Sequence, residues 1–97
     1  MASEEHPGSI RDPRVWGPHF WKVYDIIAET YPVRPSSDEK KAAERFFKSQ
    51  VYLIPCERCA RNYRAIYKAN PPRLRSRAQL QEWVALLKKR VAEHSKQ

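Results

Sequence analysis

The chain has 97 residues, with 19 Lys and Arg against 11 Asp and Glu, and its formal net charge is +8. This length allows one domain, and a hydrophobic fraction of 41% suffices for a core, which excludes a wholly disordered chain. No apolar run approaches the length of a membrane span, and the polar N-terminus lacks the apolar stretch of a secretory signal. We therefore expect a protein of a reducing compartment, in the cytoplasm and not secreted.

The excess positive charge is scattered along every segment rather than concentrated in one block, which is typical of a solvated surface. An acidic partner, an anionic membrane surface or nucleic acid could each use such a charge. Nucleic acid is not the partner that we expect, and a steep salt dependence of binding would be its signature.

The first predicted helix lies in the sequence GPHFWKVYDIIAETYP, which begins at Gly17. Pro18 suits a first helical turn, and Pro32 stops the helix. Apolar residues recur at spacings of three and four, which predicts one buried face: Phe20, Trp21, Tyr24, Ile27, Ala28 and Tyr31.

A capping box opens the second predicted helix, because Ser36 is followed three residues later by Glu39. An apolar face follows at helical spacing: Ala42, Ala43, Phe46, Phe47 and Val51. Pro55 ends this helix and can open another.

The third predicted helix carries an apolar stripe that ends at the sequence NPP, residues 70–72: Cys59, Ala60, Tyr63, Ile66 and Tyr67. Ser76 and Gln79 form a second capping box before the fourth helix. The buried face of that helix is predicted to contain Leu80, Trp83, Val84, Leu87 and Val91.

Four amphipathic helices with short connections predict an all-α protein, and a four-helix bundle is the simplest way to bury their apolar faces. We expect a single bundle domain over residues 15–93. Residues 1–14 are predicted to be a flexible N-terminal tail, and residues 94–97 a C-terminal tail.

Both cysteines lie in the sequence PCERC, as Cys56 and Cys59. They could be a redox pair, half of a metal site, or two small core residues, of which Cys59 fits the core better. A zinc site needs about four ligands, and the histidines are not at finger-like spacing, so we predict no metal. At a helix start, the helix N-terminus together with Arg58 and Arg61 stabilises a thiolate on Cys56, which thiol–disulfide exchange requires. Redox chemistry is therefore our first interpretation.

Three stretches together resemble the Erv/ALR family of FAD-linked sulfhydryl oxidases: WGPHFWKVYDIIAETYP, SQVYLIPCERCARNY and NPPRLRSRAQLQEWVALLKKRV. The compact viral members are the most similar. The resemblance implies a four-helix bundle, usually a homodimer, that holds FAD and oxidises thiols with oxygen as acceptor. Cys56 would be the outer cysteine that the substrate attacks, and Cys59 the cysteine against the flavin.

By motif match, the resemblance also places Gly17 and Trp21 near the cofactor, with Trp83 by the adenine end. A planar cofactor needs aromatic walls, and further candidates for them are Trp16, Tyr24, Tyr63 and Tyr67. Each of these aromatic residues could instead be ordinary core packing.

The chain departs from the family at two places. Asp25 stands where the family has a histidine, and the HNxVN motif is replaced by Lys88, Lys89, Arg90, Val91 and Ala92. In one interpretation FAD is still bound near Asp25 and Val91, with Lys88 and Lys89 meeting the pyrophosphate by charge. In the other, the chain is a flavin-free scaffold or disulfide-exchange protein that binds a partner.

The family often carries a second cysteine pair that relays electrons, and this chain has none. A thiol-containing protein substrate would then have to reach the Cys56–Cys59 pair directly. A separate protein with its own CxxC pair is the partner that we expect.

Overall fold

The computed structural model describes residues 8–95, which form helices and connecting turns without a strand. The helices are α1 (Pro13–Thr30), α2 (Ser37–Leu53), α3 (Glu57–Ala69) and α4 (Arg77–Ser95). The main packing pairs join α1 to α4, α2 to α3, and α3 to α4. The predicted all-α fold with four helices is confirmed. No helix in this part of the chain is both long and apolar enough to cross a membrane.

The first helix begins earlier than its apolar pattern suggested, at Pro13 instead of near Gly17. Asp12 caps it, because its carboxylate accepts the backbone N–H of Arg14 at 2.9 Å, and Pro13 needs no N–H partner at the first position. Pro18 therefore lies inside α1, not in its first turn.

The structure describes only part of the two predicted tails, and that part is not a tail. Residues 1–7 of the predicted tail 1–14 lie outside the described residues, and the rest forms a turn and the start of α1. At the other end α4 continues to Ser95, so the predicted tail 94–97 begins inside that helix.

Capping side chains fix the starts of α2 and α4. Ser36 accepts the backbone N–H of Glu39 at 3.1 Å, and the Glu39 carboxylate accepts that of Ser36 at 2.8 Å, so the first capping box is confirmed. At α4 the Ser76 hydroxyl accepts the N–H of Gln79 at 3.1 Å, but the Gln79 side chain accepts the N–H of Arg75 instead.

The core contains residues from all four helices: Tyr24, Ala28, Tyr31, Ala43, Phe47, Val51, Tyr63, Ile66, Leu80, Trp83, Val84 and Leu87. Phe47 is fully buried, and burying a side chain of this size contributes about 1.5–3 kcal/mol. The predicted apolar faces therefore point inward. Ala42 is the exception, since α2 turns it towards solvent.

Candidate functional site

The two cysteines span the first turn of α3, as the sequence predicted. Pro55 follows the end of α2, and Cys56 is the N-cap of α3. The Cys56 sulfur accepts the backbone N–H of Cys59 at 3.2 Å, so this side chain closes the helix start that a serine or aspartate usually closes. Helix geometry thus holds the two side chains on adjacent positions of one turn.

The two cysteines differ in exposure, in the opposite sense to our expectation. Cys56, expected to be the outer cysteine, is 0% exposed, and Cys59 is half-buried. The cause is the helical spacing, because Cys56, Ala60 and Tyr63 follow one another at intervals of four and three and share the inward face of α3.

A cavity of about 230 Å³ opens beside Cys59, between α1, the start of α3 and the last turns of α4. It unites six predicted site residues: Gly17, Trp21, Tyr24, Cys59, Tyr63 and Val91. The cavity is also lined by Trp16, a predicted wall residue, whereas Tyr67, predicted likewise, does not line it. Its other lining residues are Pro13, Phe20, Ile54, Arg58 and Asn62. Ligand pockets for drug-sized molecules begin at about 300 Å³, so this one can take part of a dinucleotide but not all of it.

Some lining residues were missed as site residues although the sequence held a signal for them. Asn62 lies three residues after Cys59, which places it beside that cysteine on α3. Arg58 was predicted only to stabilise the Cys56 thiolate, and it also lines the cavity. Phe20 was assigned to the core only. Ile54 comes from the α2–α3 connection, for which helical periodicity gives no position.

Aromatic rings form much of the cavity wall, and they pack edge to face. The Trp16 and Phe20 ring centroids are 4.9 Å apart, and those of Trp21 and Tyr24 are 5.6 Å apart. The Trp16 indole N–H donates to the Arg11 carbonyl at 2.9 Å, which holds that ring in place. Such a wall suits a flat, apolar ring system.

The absence of a side chain at Gly17 leaves part of this space open. Gly17 is buried and lines the cavity, yet a Cβ atom built on it would meet no heavy atom within 4 Å. Glycine in a helix interior costs about 0.5–1 kcal/mol relative to alanine, so packing alone gives no reason for it here. The cavity therefore fits a planar group that occupies the position of the missing side chain.

Two tyrosine hydroxyls lie deep in the same region and are satisfied by hydrogen bonds. Tyr24 donates to the Gln50 side-chain oxygen and Tyr63 to the Phe47 carbonyl, both at 2.7 Å. Burial raises the pKa of Tyr24 and of Tyr63 far above the ordinary value of a phenol. Both phenols therefore stay neutral, so these two rings add no charge to the cavity wall.

Asp25 and Lys88 lie outside the cavity and pair with each other across α1 and α4, with 2.7 Å between Oδ2 and Nζ. The Lys88 ammonium also lies 5.9 Å from the centroid of the Trp21 ring, within range of a cation–π interaction. Both side chains are well exposed, so the ion pair contributes on the order of 0.2–1 kcal/mol.

Trp83 and Lys89 are likewise not brought to the cavity. Trp83 is buried in the core, where its indole N–H donates to the Asn70 carbonyl at 2.8 Å and its ring packs against Phe47. Lys89 is exposed on α4.

Comparisons with known proteins agree with this arrangement. The model of the Erv1 / Alr family matches residues 18–97. The chain belongs to this family. The resemblance of its three sequence stretches to the Erv1/Alr family is thereby confirmed.

Named relatives within the Erv1/Alr family match it over shorter lengths. "Putative FAD-linked sulfhydryl oxidase 347L" of Invertebrate iridescent virus 6 is 40% identical over 48 residues, which are 50% of this chain and 43% of that protein. The mitochondrial FAD-linked sulfhydryl oxidase ERV1 of Saccharomyces cerevisiae is 29% identical over 90 residues, 86% of this chain and 48% of that protein. The match thus spans about half the length of each relative, or less.

The crystal structure of the yeast Erv1 core has the same fold. It superposes with a TM-score of 0.83 at 23% sequence identity, over 89% of this chain and 73% of the yeast chain. The arrangement of helices in this Erv1/Alr member is therefore that of the yeast core.

Proposed function

We propose that this chain is an FAD-dependent thiol oxidase that forms disulfide bonds through Cys56 and Cys59. The observation that carries the proposal is the position of Cys59 on the wall of an aromatic cavity that Gly17 keeps open. Two relatives that carry FAD-linked sulfhydryl oxidase in their names support it.

Thiol–disulfide exchange at the cysteine pair is the first half of the reaction. A substrate thiolate attacks one sulfur of the oxidised pair, which forms a mixed disulfide and releases the other cysteine. A second substrate thiolate then attacks the substrate sulfur of the mixed disulfide and releases the first cysteine. The substrate leaves as a disulfide, and the pair holds the two electrons and two protons as a dithiol. FAD, when bound, supplies the acceptor for this electron pair, which oxygen then takes as hydrogen peroxide.

Cys56 remains our proposed point of attack, and its burial means that neighbouring residues must move first. The turn before α1 is one such element, because the Arg11 guanidinium donates to the carbonyl of Pro55, next to Cys56, at 3.1 Å. Cys59, which lines the cavity, would pass the electrons to the cofactor bound there.

The ring end of FAD would occupy the cavity, against Trp21, Tyr24 and Tyr63, with Val91 at its edge. The rest of the dinucleotide exceeds the cavity volume and would continue outside it. We propose that Lys88 and Lys89 meet the pyrophosphate there, beside Asp25, since an ammonium is a strong partner for a phosphate oxygen. The contact of Trp83 with the adenine end stays a prediction.

The visible absorption spectrum of the purified protein tests the cofactor. It is recorded before and after addition of FAD, and again after anaerobic addition of dithiothreitol. A flavin band that co-purifies or binds, and that bleaches on reduction, supports the oxidase. A folded protein that stays colourless with excess FAD contradicts it.

A flavin-free disulfide-exchange protein is the second candidate, and the Asp25–Lys88 ion pair favours it. The two departures from the family pair with each other directly, with 2.7 Å between Asp25 Oδ2 and Lys88 Nζ. Such a protein would exchange disulfides with a reduced peptide while consuming no oxygen. The Cys56→Ser variant would stop that exchange but keep a partner bound.

We propose a thiol-containing protein with its own CxxC pair as the partner, and the cytoplasm as the place of reaction. The two cysteines of these 97 residues are Cys56 and Cys59, and a partner thiol would react with that pair directly. In the Cys59→Ser variant, Cys56 is first converted to its mixed disulfide with thionitrobenzoate. Incubation with a reduced CxxC protein whose second cysteine is replaced by serine then tests the partner class, because its thiolate attacks Cys56, releases thionitrobenzoate and stays bound as a mixed disulfide.

We further propose a homodimer formed through the α1–α2 face. Large apolar side chains are exposed there, namely Val23, Ile26 and Leu53, and an apolar groove runs between Val23 and Leu53. A second copy of the chain would bury the same face on both partners, as a two-fold dimer does.

A further inference from the structure

The solvent-facing side of α3 carries a row of basic residues that starts at the cysteine pair. We call it the basic stripe: Arg58, Arg61, Arg64 and Lys68. Their spacings of three, three and four keep them within about a third of the helix circumference. All four side chains are exposed, and the single acidic residue of α3 is Glu57 at its first position.

The other helices mix acidic and basic residues more evenly. Acidic side chains accompany the basic ones along them: Asp25 and Glu29 on α1, Asp38, Glu39 and Glu44 on α2, Glu82 and Glu93 on α4. Such mixing is ordinary on a solvated helix face, whereas like charges three or four residues apart destabilise a helix. Lys68 suits the C-terminal end of the helix dipole, but the three arginines repel one another and lower the stability of α3, which indicates a use outside the helix.

The location of the basic stripe connects it to the redox pair. Arg58 lies between the two cysteines in sequence and also lines the cavity beside Cys59. From there to Lys68 the stripe runs about 15 Å, the length of four or five residues of extended chain. Arg64 is held against the end of α2, where it donates to the Val51 carbonyl at 3.4 Å and lies 5.8 Å from the Tyr52 ring centroid.

We propose that the basic stripe docks an acidic segment of the protein whose thiols reduce Cys56 and Cys59. The inference rests on the proposed function and names the class of its substrate. A protein with carboxylates next to its reactive thiols would be steered to the start of α3 by charge. Nucleic acid would also meet the charge, but it brings no thiol to the pair.

Two dithiol peptides test this proposal. They share one CxxC sequence, which is flanked by glutamates in the first peptide and by glutamines in the second, and dithiothreitol serves as the small substrate. The test variant is R61E/K68E in the FAD-loaded protein. The control is K41E/K48E on α2, which has the same spacing of seven residues and the same change in charge.

We expect R61E/K68E to lower kcat/KM for the glutamate peptide by about tenfold or more at low salt, since charge pairs act mainly on encounter. Turnover of dithiothreitol and of the glutamine peptide should stay within about twofold, and K41E/K48E should behave like the wild type. The difference between the peptides should vanish at high salt because the charges are then screened. For the neutral variant R61Q/K68Q, kcat/KM with the glutamate peptide should lie between the values of the wild type and of R61E/K68E. R61Q/K68Q replaces R61E/K68E if that variant does not fold.

An equal loss of kcat/KM for the glutamate peptide in both double variants would show that only the net charge of the protein matters. No loss in either variant would show that the charges of the basic stripe do not matter. Each result overturns the proposal. Tighter binding of a single-stranded oligonucleotide than of the glutamate peptide, abolished by R61E/K68E, would also overturn it. Fluorescence anisotropy with a glutamate peptide in which serines replace the cysteines measures docking without redox chemistry. If that peptide binds through the stripe but dithiothreitol is never oxidised, the proposed oxidase fails and docking stands.

Discussion

At the scale of single residues, Gly17 controls the shape of the cavity most directly. Gly17→Ala should raise the free energy of unfolding by about 0.5–1 kcal/mol, because helix propensity improves and the new methyl group meets no atom within 4 Å. The same methyl group projects into the space proposed for the cofactor, so the affinity for FAD should fall. Urea unfolding and a fluorescence titration with FAD measure the two effects separately.

The control for Gly17→Ala is His19→Ala on the exposed side of the same helix, where only helix propensity changes. His19→Ala should leave FAD affinity unaltered. Gly17→Val should lower FAD affinity further than Gly17→Ala, since it fills more of the cavity. Unchanged FAD affinity in both Gly17 variants would rule out this position as part of the cofactor site.

The cysteine motif shows what single-residue patterns can and cannot predict. Its position at the start of α3 followed from Pro55 and the apolar stripe behind it. The relative burial of the two cysteines did not follow, because the N-cap residue was treated as lying outside the helical face. Extending the spacing of Ala60 and Tyr63 back by one turn would have placed Cys56 on the inward side.

At the scale of helices, the start of α1 depends on an ionised cap. The hydrogen bonds with the Arg14 side chain, and then with its backbone N–H, lower the pKa of the Asp12 carboxyl from 3.8 to about 2. Because the folded pKa lies below the unfolded one, the cap stabilises the fold above pH 3.8, and this contribution is lost as the pH falls towards 2.

Asp12→Asn should therefore reduce the loss of stability between about pH 4 and pH 2, and it should lower stability at pH 7. Asparagine keeps the capping geometry, so the change isolates the charge. Thermal unfolding followed by circular dichroism at several pH values measures both effects. Asp38→Asn in the first turn of α2 is the control, and an identical pH profile for the two variants would contradict the role of the cap.

The contact between α1 and α4 joins the two places where the chain departs from its family. Asp25 puts a negative charge beside Lys88, and an anionic dinucleotide would compete with it for the ammonium. Asp25→Asn should therefore strengthen FAD binding at low salt, and Lys88→Gln should weaken it. FAD titrations at two salt concentrations measure both, and weaker binding in both variants would indicate that the ion pair itself supports the cavity.

Periodicity predicted the four helices and their order well, because each apolar stripe is local in sequence. Two features did not follow from the periodicity. Pro13 and Pro18 both suit a first turn, and only the capping contact of Asp12 decides between them. The Asp25–Lys88 pair links residues 63 positions apart, so it needs the packing of α1 on α4 to become visible.

At the scale of the whole molecule, a chain of 97 residues buries a modest part of its surface, so an exposed apolar face weighs heavily in its stability. Val23 and Ile26 are each nearly half exposed on α1, beside the exposed Leu53 of α2. A small domain that leaves these side chains in water gains by burying them against a second copy. The proposed dimer would therefore stabilise the fold of each copy.

V23E/I26E should convert the protein to a monomer, because the dimer would bury two new carboxylates from each copy without partners. Sedimentation velocity over a range of concentrations measures the change, and the melting temperature should cease to rise with concentration. The control is Val33→Glu, which adds a carboxylate at an exposed apolar position beyond the end of α1 and should leave the dimer intact. If the wild-type protein sediments as a monomer at every concentration, the proposed dimer is wrong and this face is exposed to solvent.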